Sequence, residues 1–274
     1  MGYTYSLSAL FEKSFYFGLD LAASYTFGHS KSVYDGTSSV AYSNWKYNYA
    51  VDSNNPGLAY SMFDIPHRVM VSVGYRTPRY AKGFMATTVS LVYNGYVGQR
   101  YSLTMNESYY DAEKKKTVYI DYNGDGWGGN SLLYIPTEDE LQKMDFKTEE
   151  DRRKFDEWIE GDSYAKKHRG AYAMRNSNSA PWENRVDLHV AQDIFVLKDR
   201  GSKFQVTFDV TNFANMLNKK WGTTYTAAYN VMPLQVIGSK KGEDGNYTNT
   251  YAYNSRNTIT KNDVLSRWHA QIGF

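Results

Sequence analysis

The sequence predicts an all-β protein whose long strands cross a membrane as part of an antiparallel barrel, and three observations indicate this class. Apolar and polar residues alternate strictly over segments longer than the strands of most soluble proteins. Aromatic residues make up 16% of the chain, with 26 Tyr, which suits the interfacial girdles of a membrane barrel. Short and long connections alternate between the predicted strands, as they do in outer-membrane barrels.

Bulk composition excludes several other classes. A mean hydropathy of −0.62 and the lack of an apolar run of about 18 residues argue against helical membrane spans. The 31 basic and 29 acidic side chains leave a net charge of +2, without the basic patch expected for a nucleic-acid partner. Cysteine is absent, which excludes disulfides and thiol chemistry. Because MGYTYSLSAL does not have the pattern of a secretory signal, we expect a mature chain or a fragment.

The longest alternating segment is SFYFGLDLAASYTFGHS, in which apolar residues occupy almost every odd position from Phe15 to Phe27. Such a row has the length that a tilted strand needs to cross a bilayer. The same alternation recurs in HRVMVSVGYR, FMATTVSLVYNGYV, NRVDLHVAQDIF and KFQVTFDVTNF. With an initial strand in YTYSLSALF and a terminal one in WHAQIGF, the sequence predicts about seven long strands.

The connections predict the topology. Short turns are expected at Glu12-Lys13, Pro78 to Lys82 and Lys198 to Ser202, and long loops at 29–65, 104–182 and 214–262. With the short turns in the periplasm, the long loops are extracellular. Because bacterial barrels have an even number of strands, seven strands predict that residues 1–274 are the C-terminal portion of a larger barrel. The plug domain and the N-terminal strands are then expected to be absent from this chain.

The period of two assigns each strand residue to a face. Side chains expected to face lipid are Phe15, Leu19, Leu21, Val71, Val89, Leu188, Val206 and Ile272. The alternate positions Arg185, Asp187, His189 and Asp193 are expected to face the lumen or a plug. No nucleophile elbow, phosphate loop or zinc-ligand helix is present in the sequence, so we expect no enzyme activity.

The connection 104–182 contains two further motifs. Asp121, Asn123 and Asp125, followed by Gly126, have the D-x-N-x-D-G spacing of a calcium loop. Leu132 replaces the bidentate Glu of an EF-hand. The motif is therefore either a calcium site completed by another loop or an ion-free turn, and no other cofactor is expected.

The second motif predicts two helices, which begin with a capping box at Thr137 and Glu140 and with a cap at Thr148. An apolar stripe of Phe155, Trp158 and Ile159 follows on the second helix. The stripe either packs on the mouth of the chain's own barrel or contacts a ligand or a surface lipoprotein.

The chain ends on RWHAQIGF, in which Trp268, Ala270, Ile272 and Phe274 alternate with polar residues. This pattern predicts a strand that is ordered to its last residue, and we expect its apolar row to be recognised by the barrel assembly machinery. An unpaired apolar edge is able to pair with a partner sheet before a barrel closes.

Five segments together resemble the TonB-dependent outer-membrane receptors of the Oar-like branch. They are FDIPHRV (63–69), DYNGDGWGGNSLLYIP (121–136), RNSNSAPWENRVDLHVAQDI (175–194), FDVTNFANMLNKKWG (208–222) and SRWHAQIGF (266–274). The resemblance implies a barrel of 22 strands with a plugged lumen in the outer membrane of a Gram-negative bacterium. It also implies import of a nutrient, driven by the TonB complex through the plug. Two alternatives stay open: a smaller complete barrel, such as a porin or adhesion protein, and a soluble β-rich binding protein.

Overall fold

The computed structural model describes residues 2–197, 202–227, 230–243, 245–255 and 259–274. In chain order the strands are β1 (Tyr3–Ser14), β2 (Leu19–Ser32), β3 (Ala59–Tyr60), β4 (His67–Arg76), β5 (Met85–Tyr96), β6 (Arg100–Asn106), β7 (Ser108–Asp111), β8 (Lys116–Tyr119), β9 (Tyr134–Ile135), β10 (Asp145–Phe146), β11 (Ala171–Tyr172), β12 (Asn178–Ser179), β13 (Glu183–Leu197), β14 (Ser202–Thr211), β15 (Tyr225–Thr226), β16 (Asn230–Lys241), β17 (Tyr247–Tyr253), β18 (Thr260–Lys261) and β19 (His269–Gly273). The helices are α1 (Ala41–Lys46), α2 (Glu138–Lys143), α3 (Glu149–Gly161) and α4 (Phe213–Leu217), with a 3₁₀ turn at Ala165–Lys167. Over the described ranges, no helix has the length and apolar character to span a membrane.

Seven strands form one antiparallel sheet in the order β1-β2-β4-β5-β13-β14-β19, with β3 attached to β2. Each strand pairs with the next one along this order, so the sheet is a meander. Within the part of the chain that the structure describes, the outer edges of β1 and β19 have no strand partner. The sheet confirms the predicted all-β class and the seven main strands of one antiparallel sheet.

The hairpin between β1 and β2 differs from its prediction. The chain reverses at residues 15–18 rather than at Glu12-Lys13, and the Gly18 N–H donates to Phe15 O (3.0 Å). Gly18 has a φ of +95°, and a Cβ at this position would lie 2.2 Å from Arg76 O. Because only glycine tolerates both conditions, the turn is fixed there. Phe15 therefore lies in the turn, and the row on β2 begins at Leu19.

Of the other two predicted short turns, the one between β4 and β5 agrees with the structure. Between β4 and β5, the Tyr80 N–H donates to Met85 O (2.8 Å), and residues 81–83 all have positive φ. This turn contains the predicted Pro78 to Lys82 segment. The predicted turn at Lys198 to Ser202 lies outside the described residues except for Ser202, which begins β14.

The long connections fold together rather than as separate loops. Residues 33–66, 97–182 and 212–268, in their described parts, form a second body that we call the loop cap. Its main sheet has the order β10-β17-β16-β6-β12, and β6 and β16, which come from different connections, pair in parallel. The main hydrophobic core of the protein lies in this cap, between its sheet and helices α2 and α3.

Candidate functional site

Two threonines begin the principal helices of the cap, as predicted. At α2, Thr137 Oγ1 accepts from the Glu140 N–H (3.3 Å), and Glu140 Oε2 accepts from the Thr137 N–H (2.9 Å). Both arms of a capping box are therefore present. At α3, Thr148 Oγ1 accepts from the Asp151 N–H (3.1 Å).

The apolar stripe of α3 packs inside the cap. Phe155 and Ile159 are each 0% exposed, and Trp158 is partly buried against the same core. The Phe155 and Trp158 rings are stacked, with their centroids 6.0 Å apart. The stripe therefore stabilises the cap itself, which favours the first of its two interpretations, and the surface lipoprotein stays a prediction.

A buried ion pair joins the cap to the sheet at the end of β2. Asp64, which is 2% exposed, accepts from Arg100 Nη2 (2.6 Å) and Arg100 Nε (3.0 Å). Its other oxygen, Oδ1, accepts from the Ser30 N–H (2.6 Å) on β2. His29 Nδ1, also on β2, lies 3.3 Å from Oδ2, the oxygen that accepts from Arg100. The Arg100 guanidinium also lies over the Tyr60 ring, 4.1 Å from its centroid. The Asp64 carboxylate therefore links the cap to β2, and removing either partner of the pair would leave a buried charge unpaired.

A second buried pair lies beside the first. Arg175 Nη1 donates to Asp35 Oδ2 (2.9 Å), and its Nη2 donates to the main-chain oxygen of Ser32 (2.5 Å). Asn176 Nδ2 donates to the same Asp35 oxygen (3.1 Å). Burial lowers the pKa of Arg175, while the charge of Asp35 opposes that effect. Asp64 belongs to the FDIPHRV segment and Arg175 to the RNSNSAPWENRV segment. Their partners, Arg100 and Asp35, lie outside these two segments.

The FDVTNFANMLNKKWG segment makes a third polar junction, at the end of β14. Asn212 has a left-handed φ of 54°, and its Nδ2 donates to Gly222 O (2.7 Å) and Ser266 O (2.9 Å). Its N–H donates to Asp187 Oδ1 (2.7 Å) on β13. One asparagine therefore holds two cap segments against the sheet.

The D-x-N-x-D-G motif forms a turn whose oxygens accept hydrogen bonds from protein groups. Asp121 Oδ2 accepts from the Gly126 N–H (2.7 Å), and Asp125 Oδ2 accepts from Ser53 Oγ and Asn130 Nδ2 (2.6 Å each). Burial raises the pKa of Asp125, but the hydrogen bonds from Asn130 and Ser53 outweigh it and lower this pKa. The described residues contain no cluster of three or more His, Asp or Glu residues suited to a metal. Calcium binding through Asp121, Asn123 and Asp125 stays a prediction.

Strand register places the predicted lipid-facing residues on one continuous face. Val71 is opposite Tyr93, Leu188 is opposite Leu91 and Val210, and Ile272 is opposite Phe208. Because side chains alternate along each strand, these pairings align the apolar rows of neighbouring strands. Seven predicted residues share this face: Leu19, Leu21, Val71, Val89, Leu188, Val206 and Ile272. Only Phe15 is displaced into the turn, and contact with lipid stays a prediction.

The opposite face carries the residues predicted for the lumen. His189 Nδ1 lies 2.5 Å from Asp209 Oδ1 on the neighbouring strand, whereas Asp187 contacts Arg185 Nε (3.0 Å). Asp193 is almost completely buried, and its carboxylate accepts from three side chains. These donors, none of which the sequence identified, are Arg76 Nη2 (2.7 Å), Lys203 Nζ (2.8 Å) and Gln205 Nε2 (2.7 Å).

The C-terminal row is partly a strand. β19 covers His269–Gly273 and pairs with β14, so Ala270 and Ile272 lie on the apolar face opposite Val210 and Phe208. Trp268 and Phe274 flank the strand, and Phe274 is exposed. The strand is therefore ordered to the penultimate residue, and its recognition by the assembly machinery stays a prediction.

The cap contains two cavities, and residues of the segment 47–51 line both of them. The first, of about 370 Å³, has the charged residues Asp35, Arg100 and Arg175 among its lining residues. The second, of about 350 Å³, is lined mainly by tyrosine and apolar side chains. Each has among its lining residues one whose buried polar atom has no hydrogen-bond partner: Asn48 Nδ2 at the first and Ser131 Oγ at the second.

Sequence reasoning found the strand residues but missed the cap anchors and both cavities. Asp64 and Arg175 lie inside the segments that resemble the receptors. In the sequence, each stands out only as a single charged residue among apolar or small neighbours. Arg100 and Asp35 carry no local signal. Their partners are 36 and 140 residues away along the chain.

Comparison with known proteins identifies one family. Neither the curated proteins nor the solved structures that were compared gave a match. The family model described as an outer membrane beta barrel domain matches residues 3–264. This match covers almost the whole chain and agrees with the sheet and its apolar face. The chain therefore belongs to the outer membrane β-barrel domain family and is a protein of the bacterial outer membrane.

Proposed function

We propose that this chain is the C-terminal barrel portion of a TonB-dependent transporter of the Oar-like branch, which imports a nutrient. The open sheet is the observation that carries the proposal. Its seven strands share an apolar face, and the outer edges of β1 and β19 are unpaired over the described residues. A membrane barrel has no free edge in lipid, and in this proposal further strands close it. The expected total of 22 strands comes from the resemblance of five segments to the TonB-dependent receptors.

The charged face of the sheet supports a filled lumen. Asp193 is 2% exposed and is held by Lys203 from the neighbouring strand β14 and by Arg76 at the end of β4, which lies beyond β5. His189 and Asp209 form another pair on this face. A fixed row of charges and hydrogen-bonding groups is a surface on which a polar plug is able to dock.

The proposal includes several partners and excludes others. The lipid of the outer membrane covers the apolar face, and the missing plug and strands complete the barrel. The TonB complex acts through the plug, and the barrel assembly machinery recognises the C-terminal row. A surface lipoprotein that contacts the cap is a further partner in this proposal. The chain itself has no catalytic role and binds no nucleic acid.

Two measurements on the full-length protein test the proposal. In planar bilayers, a plugged barrel is expected to show no stable open channel, whereas a porin would conduct. A photo-crosslinking amino acid at His189 is expected to capture a plug peptide, and the same group at Leu188 is the matched control on the apolar face. A steady conductance without a crosslink from position 189 would instead support the smaller complete barrel. The soluble alternative is excluded by the outer-membrane family.

A further inference from the structure

The second cavity of the cap has an apolar floor. Met105 on β6 and Leu234 on β16 are buried beside Leu132, and the segment 47–51 closes one side through Ala50 and Val51. The Ala50 N–H donates to Asn130 O (3.1 Å), which ties this segment to the glycine-rich loop. The floor therefore consists of side chains that the fold already holds in place.

Four tyrosines form the walls, and the cap fixes several of them. Tyr134 OH donates to Glu140 (3.0 Å), and the pairing of β9 with β11 places the Tyr172 ring edge-on to Tyr134, with centroids 5.1 Å apart. Tyr122 OH accepts from Asn249 Nδ2 (3.1 Å), and Tyr251 lies on β17. Rings that are held before binding lose little entropy when a ligand packs against them.

The polar groups of the cavity restrict the charge of a ligand. Among the described residues that line it, Glu140 is the only carboxylate, and none is Lys, Arg or His. The Thr137 N–H and Tyr134 hydroxyl lower the pKa of Glu140, so this group is ionised at neutral pH. Ser131 Oγ is buried without a partner, which leaves one hydroxyl free for a ligand atom.

We propose that this cavity binds the aromatic ring of a neutral or cationic small ligand, and that Ser131 hydrogen-bonds a polar atom beside the ring. The volume of about 350 Å³ accommodates such a ring, and burial of a ring against tyrosines is among the larger apolar contributions to binding. The inference names the ligand class of the transporter proposed above and rests on that proposal for its role. Binding itself requires no energy coupling.

The test uses N-acetyl-L-tryptophanamide as a neutral aromatic probe and the full-length protein in lipid nanodiscs, followed by saturation-transfer NMR and titration. We expect Val51→Trp, at the partly exposed mouth of the cavity, to weaken binding about tenfold or more. Tyr172→Ala, which removes one wall, should weaken it about three- to tenfold. Ser131→Ala should weaken it about threefold. Tyr110→Ala, at an exposed tyrosine of β7 outside the cavity, is the matched control and should leave binding unchanged.

Two related probes test the chemistry. N-acetylglycinamide has no ring and should not bind, and anionic N-acetyl-L-tryptophan should bind about tenfold more weakly because of Glu140. Failure of the amide to bind the unaltered protein, or equal binding by all four variants, would overturn the inference. If the amide binds but the conductance measurement shows an open lumen, only the transport proposal would be overturned. A plugged lumen without binding of the amide would overturn only this inference.

Discussion

The sheet and the loop cap place their apolar side chains in opposite surroundings. In the cap, Phe155 and Ile159 are 0% exposed, whereas Leu7 and Ile272 on the apolar face of the sheet are 73% and 63% exposed. A soluble protein rarely leaves a continuous apolar face of this extent uncovered. We therefore expect the strands to depend on lipid as their apolar surroundings, whereas the cap has a conventional core that excludes water.

This difference implies that the sheet and the loop cap should lose their structure independently of each other. A change in the cap core should loosen the cap and leave the strands inserted, and a charge on the apolar face should do the reverse. Asp64, which pairs with Arg100 inside the cap and accepts from the Ser30 N–H on β2, is the place where the two bodies should be coupled.

The largest effect is expected from Phe155→Ala. Removing a fully buried ring leaves a cavity and should destabilise the cap by about 3–5 kcal/mol. Hydrogen exchange should become faster in β6, β16 and α3 but not in β4 or β5. Tyr110→Ala provides a control at an exposed ring of the cap. Equal acceleration of exchange in the strands of the sheet would contradict the independence of the two bodies.

The next effect is expected from Arg100→Met, which leaves the Asp64 carboxylate buried with fewer donors. Breaking such a pair should cost about 3 kcal/mol and loosen the junction from both sides. Asp64→Asn keeps an acceptor for the Ser30 N–H, and the double variant should be less destabilised than the sum of the two single variants. Stabilities that simply add would show that Arg100 and Asp64 do not act together at the junction.

On the apolar face, Val71→Arg should cost about 2–4 kcal/mol, measured by reversible unfolding from lipid vesicles. Val71 lies in the middle of β4 and is opposite Ala23 and Tyr93. Leu21→Arg should cost less because Leu21 is only the third residue of β2, close to the turn. Ser72→Arg, on the other face, is the control. An equal loss of stability at positions 71 and 72 would contradict the assignment of faces.

The strands could be predicted from sequence because their signal is local. A period of two fixes both the face and the approximate length of each strand, as in the row from Leu19 to Phe27. The first turn was misplaced because the apolar alternation continues through Phe15 and Phe17, while the backbone reversal depends on Gly18 and its approach to Arg76 O. Periodicity gives no information about such a contact.

The cap could be predicted only in pieces. The caps of α2 and α3 depend on residues three positions apart, so Thr137 and Thr148 were found. The sheet that joins these helices pairs Leu103 with Val231, and such pairings between distant segments leave no periodic trace in one sequence. The same is true of the cavities, whose walls come from several connections.

The smallest effect in this comparison is expected from Thr148→Ala. Its hydroxyl accepts from the Asp151 N–H at the start of α3, and loss of such a cap typically costs about 1 kcal/mol. Thr117→Ala, at an exposed position of β8, lacks a capping role and should change stability by less than about 0.5 kcal/mol. Because α3 packs only within the cap, the loss should appear as faster exchange in α3 and β17, with β2 and β4 unchanged. Equal stability of the two variants would mean that core packing alone fixes α3, and that its capping residue contributes nothing to the cap.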